Sequence, residues 1–253
     1  KKVQEYFNQL LENHDHKTLI AKGLKFNLEF STYTFVVLCE IPDLFEAFEL
    51  EARIQRLLSK IKKEFPKNNK LIFGFHNKVT LMFSVPDTNH IKGIIHHIKM
   101  IIEDENRYDK NDIRIGLGTP YKEIKNIAKS YNEANKSLTF LINRNKFGLM
   151  RYEEIGVNRF FLNQPIQEIE EFTEEIFSHL RSDKLQNKDL EKTLMIYISS
   201  NKSAIETAKT LHIHINTLYQ RLRKIEELLN ISFNNPEDML KIQLTCHLRE
   251  TFE

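Results

Sequence analysis

The chain has 253 residues, 41% of them hydrophobic, with only 7 Gly and 6 Pro, so it can bury one large or two small cores and leaves little room for disordered linkers. Its formal charge of +2 gives no global signal for a polyanion or a membrane surface, and any such partner must be met by a local patch. The longest apolar runs, such as "FVVLC" (35–39), are far short of a membrane span, no secretory signal opens the chain, and a first residue of Lys rather than Met suggests a processed or truncated product.

Residues 1–30 read as mostly helical, "VQEYFNQLLENH" and then "KTLIAKGL" closed at Gly23. "YTFVVLCEI" (33–41) is a strand whose continuous apolar run predicts a central place in a sheet. From Leu44 to Phe65 a helix is predicted on Phe45, Phe48, Ala52, Leu57, Ile61 and Phe65, ended by Pro66. "KLIFGFHNKVTLMFSVP" (70–86) reads as a hairpin turning at His76-Asn77-Lys78, with Asn77 tolerating left-handed backbone. A helix follows with Ile94, Ile98, Ile101 and Ile102 as its stripe, then a strand in "NDIRIGLGTP" (111–120). A third long helix (122–144) carries Ile124, Ile127, Ala128, Tyr131, Ala134, Leu138 and Leu141 on one side, and "GLMRYEEIG" (148–156) is a short closing strand. This order predicts an α+β fold, a ferredoxin-like or nucleotide-cyclase-like mixed sheet with packed helices.

"NQP" at 163–165 marks a boundary, after which the chain reads as wholly helical: 166–182, 188–199, 203–211, 214–230 and a last helix from about 236. The expected organisation is a helical segment at 1–30, an α+β domain at 31–160, a connecting helix within 161–187, and an all-α domain at 188–253. Cys39 and Cys246 read as buried thiols without a CxxC pair, which suits a reducing cytosol and a cytoplasmic protein. The pairs His14/His16, His96/His97 and His212/His214 lack the i, i+4 spacing of helical metal ligands, so no metal or other cofactor is expected.

The stretch "TAKTLHIHINTLYQRLRKIEELLN" (207–230) carries the strongest functional signal. Ser203 and Glu206 suit a capping box, the Ser203 hydroxyl accepting from the Glu206 amide and the Glu206 carboxylate reaching back. Beyond a tight turn, Leu218, Leu222, Ile225 and Leu229 make one apolar line, leaving Asn216, Gln220 and Arg223 opposite, Thr217 and Lys224 beside them, and Tyr219 and Arg221 toward the sides. A short helix, a turn and a helix exposing such residues form a helix-turn-helix design. Asn and Gln match adenine, Arg matches guanine, and a Thr methyl packs on thymine. Lys202, Lys209, Arg221, Arg223 and Lys224 are placed for phosphates, five basic residues against the single acid Glu206 between 201 and 224. A solvated face on a structural bundle would show many of the same residues, with His212 and His214 serving the turn rather than reading bases.

The segment 190–232 resembles the C-terminal helix-turn-helix of the PucR/CdaR family of bacterial transcription regulators. The matching positions are Thr193, Leu194, Tyr197, Asn201, Thr207, Ala208, Leu211, His214, Asn216, Thr217, Leu218, Arg221, Leu222 and Ile225, while Gln220 departs from a common aromatic. The resemblance implies double-stranded DNA as partner, with Lys202, Thr207, His214, Asn216, Thr217, Tyr219, Gln220, Arg221, Arg223 and Lys224 as the contact set. It also implies a homodimer or higher homo-oligomer, an unknown small-molecule effector, and control of a catabolic or stress operon, often as an activator. Residues 31–156 resemble the GGDEF-like domain that precedes this motif in the same family. Active cyclases of that fold use a Gly-Gly turn and acidic metal-binding residues, whereas the hairpin here reads "FGFHNKVTL", so an enzyme is not expected. "IGLGTP" is a lone GxG without the Lys-Ser/Thr of a phosphate loop and reads as a tight strand end. Two alternatives stay open: a nucleotide- or small-molecule-binding sensor whose helical tail only assembles the protein, and an interaction module presenting the helix face to a protein.

Overall fold

A computed structural model describes residues 1–12, 15–43, 46–65, 69–108, 112–181 and 190–252, apart from the side chains of 106–108 and 252. His14, Leu44, Phe45, Pro66 and the expected helix start at 188 lie outside these residues. The chain divides into two compact units, Lys1–Leu162 and Asn163–Glu253.

The first unit runs α1 (Lys2–Glu12), α2 (His16–Gly23), β1 (Tyr33–Glu40), α3 (Ala47–Glu64), β2 (Lys70–Phe75), β3 (Lys78–Val85), α4 (Thr88–Tyr108), β4 (Arg114–Leu117), α5 (Ile127–Asn143) and β5 (Gly148–Arg151). Its strands form one mixed sheet in the order β2-β3-β1-β4-β5. The β2–β3, β3–β1 and β1–β4 pairs are antiparallel, which is the split β-α-β arrangement, and β5 joins β4 in parallel. β1 is central, as its apolar run predicts. Alternate residues of β1 serve two cores, which is why the run is unbroken. Phe35, Val37 and Cys39 face α3 and α4, while Val36 and Leu38 face α1, α2 and α5. Tyr6, Phe7 and Leu10 are buried in the second of these cores, so residues 1–30 are part of the unit rather than a separate segment.

In α3 the buried face is Ile54, Leu57, Leu58 and Ile61, whereas Ala52 is exposed and Phe48 is 83% exposed. Six residues of helix set Phe48 about 120° away from Ile54, so the two cannot share a face. At the hairpin the left-handed residue is His76 (φ 50). The Asn77 side chain instead donates to the Ile41 carbonyl at 3.0 Å. β5 ends at Arg151, and 152–154 and 156–160 continue as short 3-10 turns.

The glycines of "IGLGTP" have a structural use. A Cβ on Gly116 would lie 2.2 Å from the Ala134 carbonyl oxygen, and one on Gly118 2.0 Å from that of Ser130. Their absence lets α5 settle directly on β4. Two polar residues then fasten the contact: the Ser130 hydroxyl accepts from the Val36 amide at 3.0 Å, and the buried Glu133 carboxylate accepts from the Thr119 amide and the Tyr121 hydroxyl at 3.0 and 2.7 Å. Burial, with the Glu133 hydrogen bond adding to it, pushes the Tyr121 hydroxyl above its usual pKa.

The second unit comprises α6 (Ile166–Arg181), α7 (Leu190–Ser199), α8 (Ala204–Leu211), α9 (Ile215–Leu229) and α10 (Pro236–Phe252). α6, expected only as a connector, supplies Ile176, Phe177 and Leu180 to the core shared with Leu194, Leu218, Leu222, Ile225, Ile242 and Cys246. Among the described residues no helix is long and apolar enough to cross a membrane.

Candidate nucleic-acid interface

The motif is assembled by caps and by one buried stripe. The Ser203 hydroxyl accepts from the Glu206 amide at 3.3 Å, starting α8. The Ser203 amide donates to the Ser200 carbonyl, so this half of the expected capping box is met by backbone rather than by the Glu206 carboxylate. α8 stops at His212, which takes the left-handed conformation (φ 53) and closes the last turn with its own amide. Two residues later His214 caps α9: its Nδ1 accepts from the Asn216 amide at 3.2 Å, which makes Nδ1 the unprotonated nitrogen. Both histidines therefore serve the turn.

α9 is oriented by Leu218, Leu222 and Ile225, all buried. With those inward, Asn216, Thr217, Tyr219, Gln220, Arg223 and Lys224 are exposed on α9, and Lys202, Lys209 and His214 are exposed ahead of it. The Asn216 and Gln220 side-chain amides make no hydrogen bond within the described chain and stand ready for an external partner. An exposed face of amides, hydroxyls and cations can contact base edges and phosphates together.

Two members of the contact set sit elsewhere. Thr207 is fully buried, its hydroxyl donating to the Ser203 carbonyl at 2.7 Å, so it packs α8 into the bundle and cannot touch DNA from there. Arg221 is half-buried and donates to the hydroxyl of Thr193 on α7 at 3.3 Å. On the helical wheel it lies only about 60° from Leu218, a signal that α9 turns it toward the bundle. Thr193 itself was legible only as a family match. Its role as an anchor for α9 depends on a contact 28 residues away.

Arg221→Ala should lower the unfolding free energy by about 0.5–1.5 kcal/mol through the lost hydrogen bond, read as a reduced urea midpoint at unchanged slope. His212→Gly should raise it by about 0.5–1 kcal/mol, because glycine occupies the left-handed cap without a Cβ clash, and the melting temperature should rise accordingly.

Comparison with known proteins gives two family-model matches: a PucR C-terminal helix-turn-helix domain at residues 190–248 and a GGDEF-like domain at residues 11–140. The chain is similar to the DNA-binding transcriptional activator AdeR of Bacillus subtilis (strain 168), with 22% identity over 98% of this chain and 60% of that protein. It is also similar to the purine catabolism regulatory protein of the same organism, at 24% identity over 55% of this chain and 27% of the relative. The proline-responsive transcriptional activator PutR, again from that organism, is 30% identical over 49% of this chain and 31% of its own length. The chain thus spans 60% or less of each of these relatives.

Proposed function

The chain belongs to the PucR/CdaR family, and on that premise we propose that it is a sequence-specific DNA-binding transcriptional regulator. One observation carries the reading. α9 buries Leu218, Leu222 and Ile225 and thereby turns Asn216, Thr217, Gln220, Arg223 and Lys224 outward behind a tight turn. In this reading Asn216, Thr217 and Gln220 contact base edges, Lys202, Lys209, Arg223 and Lys224 contact phosphates, and Thr207 and Arg221 hold the motif in shape. One such motif covers too few base pairs for genomic specificity, so a homodimer presenting two recognition helices is part of the proposal. The first unit then serves assembly or effector response in the cytoplasm rather than catalysis. Its hairpin tip carries Phe75, His76 and Asn77, and burial pushes the Cys39 thiol up to about 12, far from a thiolate nucleophile.

The direct test is fluorescence anisotropy of the chain on its own upstream promoter and on a scrambled duplex across a salt series. Each neutralised phosphate should contribute about −0.9 to the slope of log K against log salt, and Arg223→Ala should remove about one such contribution on both duplexes. A flat salt dependence with no promoter preference would remove DNA as the partner and favour the protein-interaction reading.

A further inference from the structure

The first unit contains a cleft of about 550 Å³ between the hairpin tip and the start of α3. That volume lies within the range of small-molecule pockets, about 300–1,000 Å³. Leu50 and Ile54 of α3 and Gly74 of β2 contribute apolar surface, and Phe75, 57% exposed, stands at the hairpin. The polar lining is one-sided. Asp43 and Glu51 both line the cleft, and neither forms an ion pair or hydrogen bond with another described residue. Among the described residues no Lys or Arg lines it, and His76 is the one basic side chain there.

Glu46 and Glu49 at the head of α3 already occupy the positions where a helix dipole favours carboxylates. Glu51 lies beyond that first turn, so the dipole does not account for it. A phosphate or carboxylate ligand would meet two like charges, with no Lys or Arg of the described lining to offset them. An ammonium would meet two carboxylates and an exposed aromatic ring, both of which attract it. We propose that this cleft binds a small organic cation, an amine whose apolar body lies on Leu50 beside Gly74 and whose ammonium is held by Asp43 and Glu51. The site belongs to the first unit, and its ligand class is independent of DNA binding by the second.

The test is calorimetric titration of the full chain with three probes sharing one ring: phenethylamine, phenethyl alcohol and 3-phenylpropanoate, with GTP as a fourth. Phenethylamine should bind at least about tenfold more tightly than the alcohol, and the carboxylate weakest of the three. D43N and E51Q should each weaken the amine by about threefold to tenfold while leaving the alcohol unchanged, and the double variant should abolish the preference for charge. Both residues are exposed, so the melting temperatures of the unliganded variants should match the parent. Absence of amine binding, equal binding of amine and alcohol, insensitivity to both substitutions, or preferential binding of GTP would each overturn the assignment.

Discussion

Asn216→Ala should weaken binding to the cognate duplex by about 1–3 kcal/mol and leave binding to a scrambled duplex nearly unchanged. The expectation rests on where α9 puts this residue. Its backbone amide is already engaged by the His214 ring, so substitution leaves the cap in place, and its side chain has no internal partner to lose. Folding stability should therefore hold, and the loss should appear in specificity alone. Gln220, one turn further along the same exposed face, should behave alike. Arg223→Ala provides the contrast, because a phosphate contact carries no sequence information and should weaken both duplexes together. Anisotropy titrations on both duplexes, at a salt concentration where the scrambled one is measurable, separate the cases. An equal loss for Asn216→Ala on cognate and scrambled DNA would sink its assignment as a base reader.

Gly118→Ala should destabilise the first unit by about 3 kcal/mol or more, at the upper end of what overpacking costs. The added carbon would lie 2.0 Å from the Ser130 carbonyl oxygen and 2.5 Å from its hydroxyl, so the backbone of α5 must withdraw from β4. Withdrawal would strain the Ser130–Val36 bond and the two bonds that Glu133 makes to the 119–121 loop. Gly116→Ala should do similar damage one turn along, against Ala134. Gly93 offers an internal control, since it sits in α4 with nothing within 4 Å of its missing Cβ. Gly93→Ala should stabilise by about 0.5–1 kcal/mol from helix propensity. Thermal unfolding followed by far-UV circular dichroism would show opposite shifts for the two alanines. An unchanged melting temperature for Gly118→Ala would mean that α5 does not sit against β4 as described.

The sequence by itself determined what depends on neighbours within a helical turn or along one strand. The Ser203 cap, the stripe through Leu218, Leu222 and Ile225, the outward amides of Asn216 and Gln220, the central place of β1 and the split of the chain's character near residue 163 belong to this class. These features have periods of two or 3.6 residues, or lie within four residues of their partners, so residue order alone encodes them. What only the tertiary structure decided depends on partners far apart in the chain. Thr207 looks like any surface threonine of a short helix until the bundle closes over it, and Arg221 like a phosphate ligand until Thr193 is beside it. The phase of α3 departs from its apolar pattern at Phe48, because a phenylalanine's hydrophobicity does not say whether the sheet lies beneath it. The glycines at 116 and 118 gained their meaning only from α5, and the carboxylates of Asp43 and Glu51 face one cleft only because the hairpin folds back to the head of α3. A linear pattern specifies which face of an element is apolar, and packing decides which polar residues that face carries inside with it.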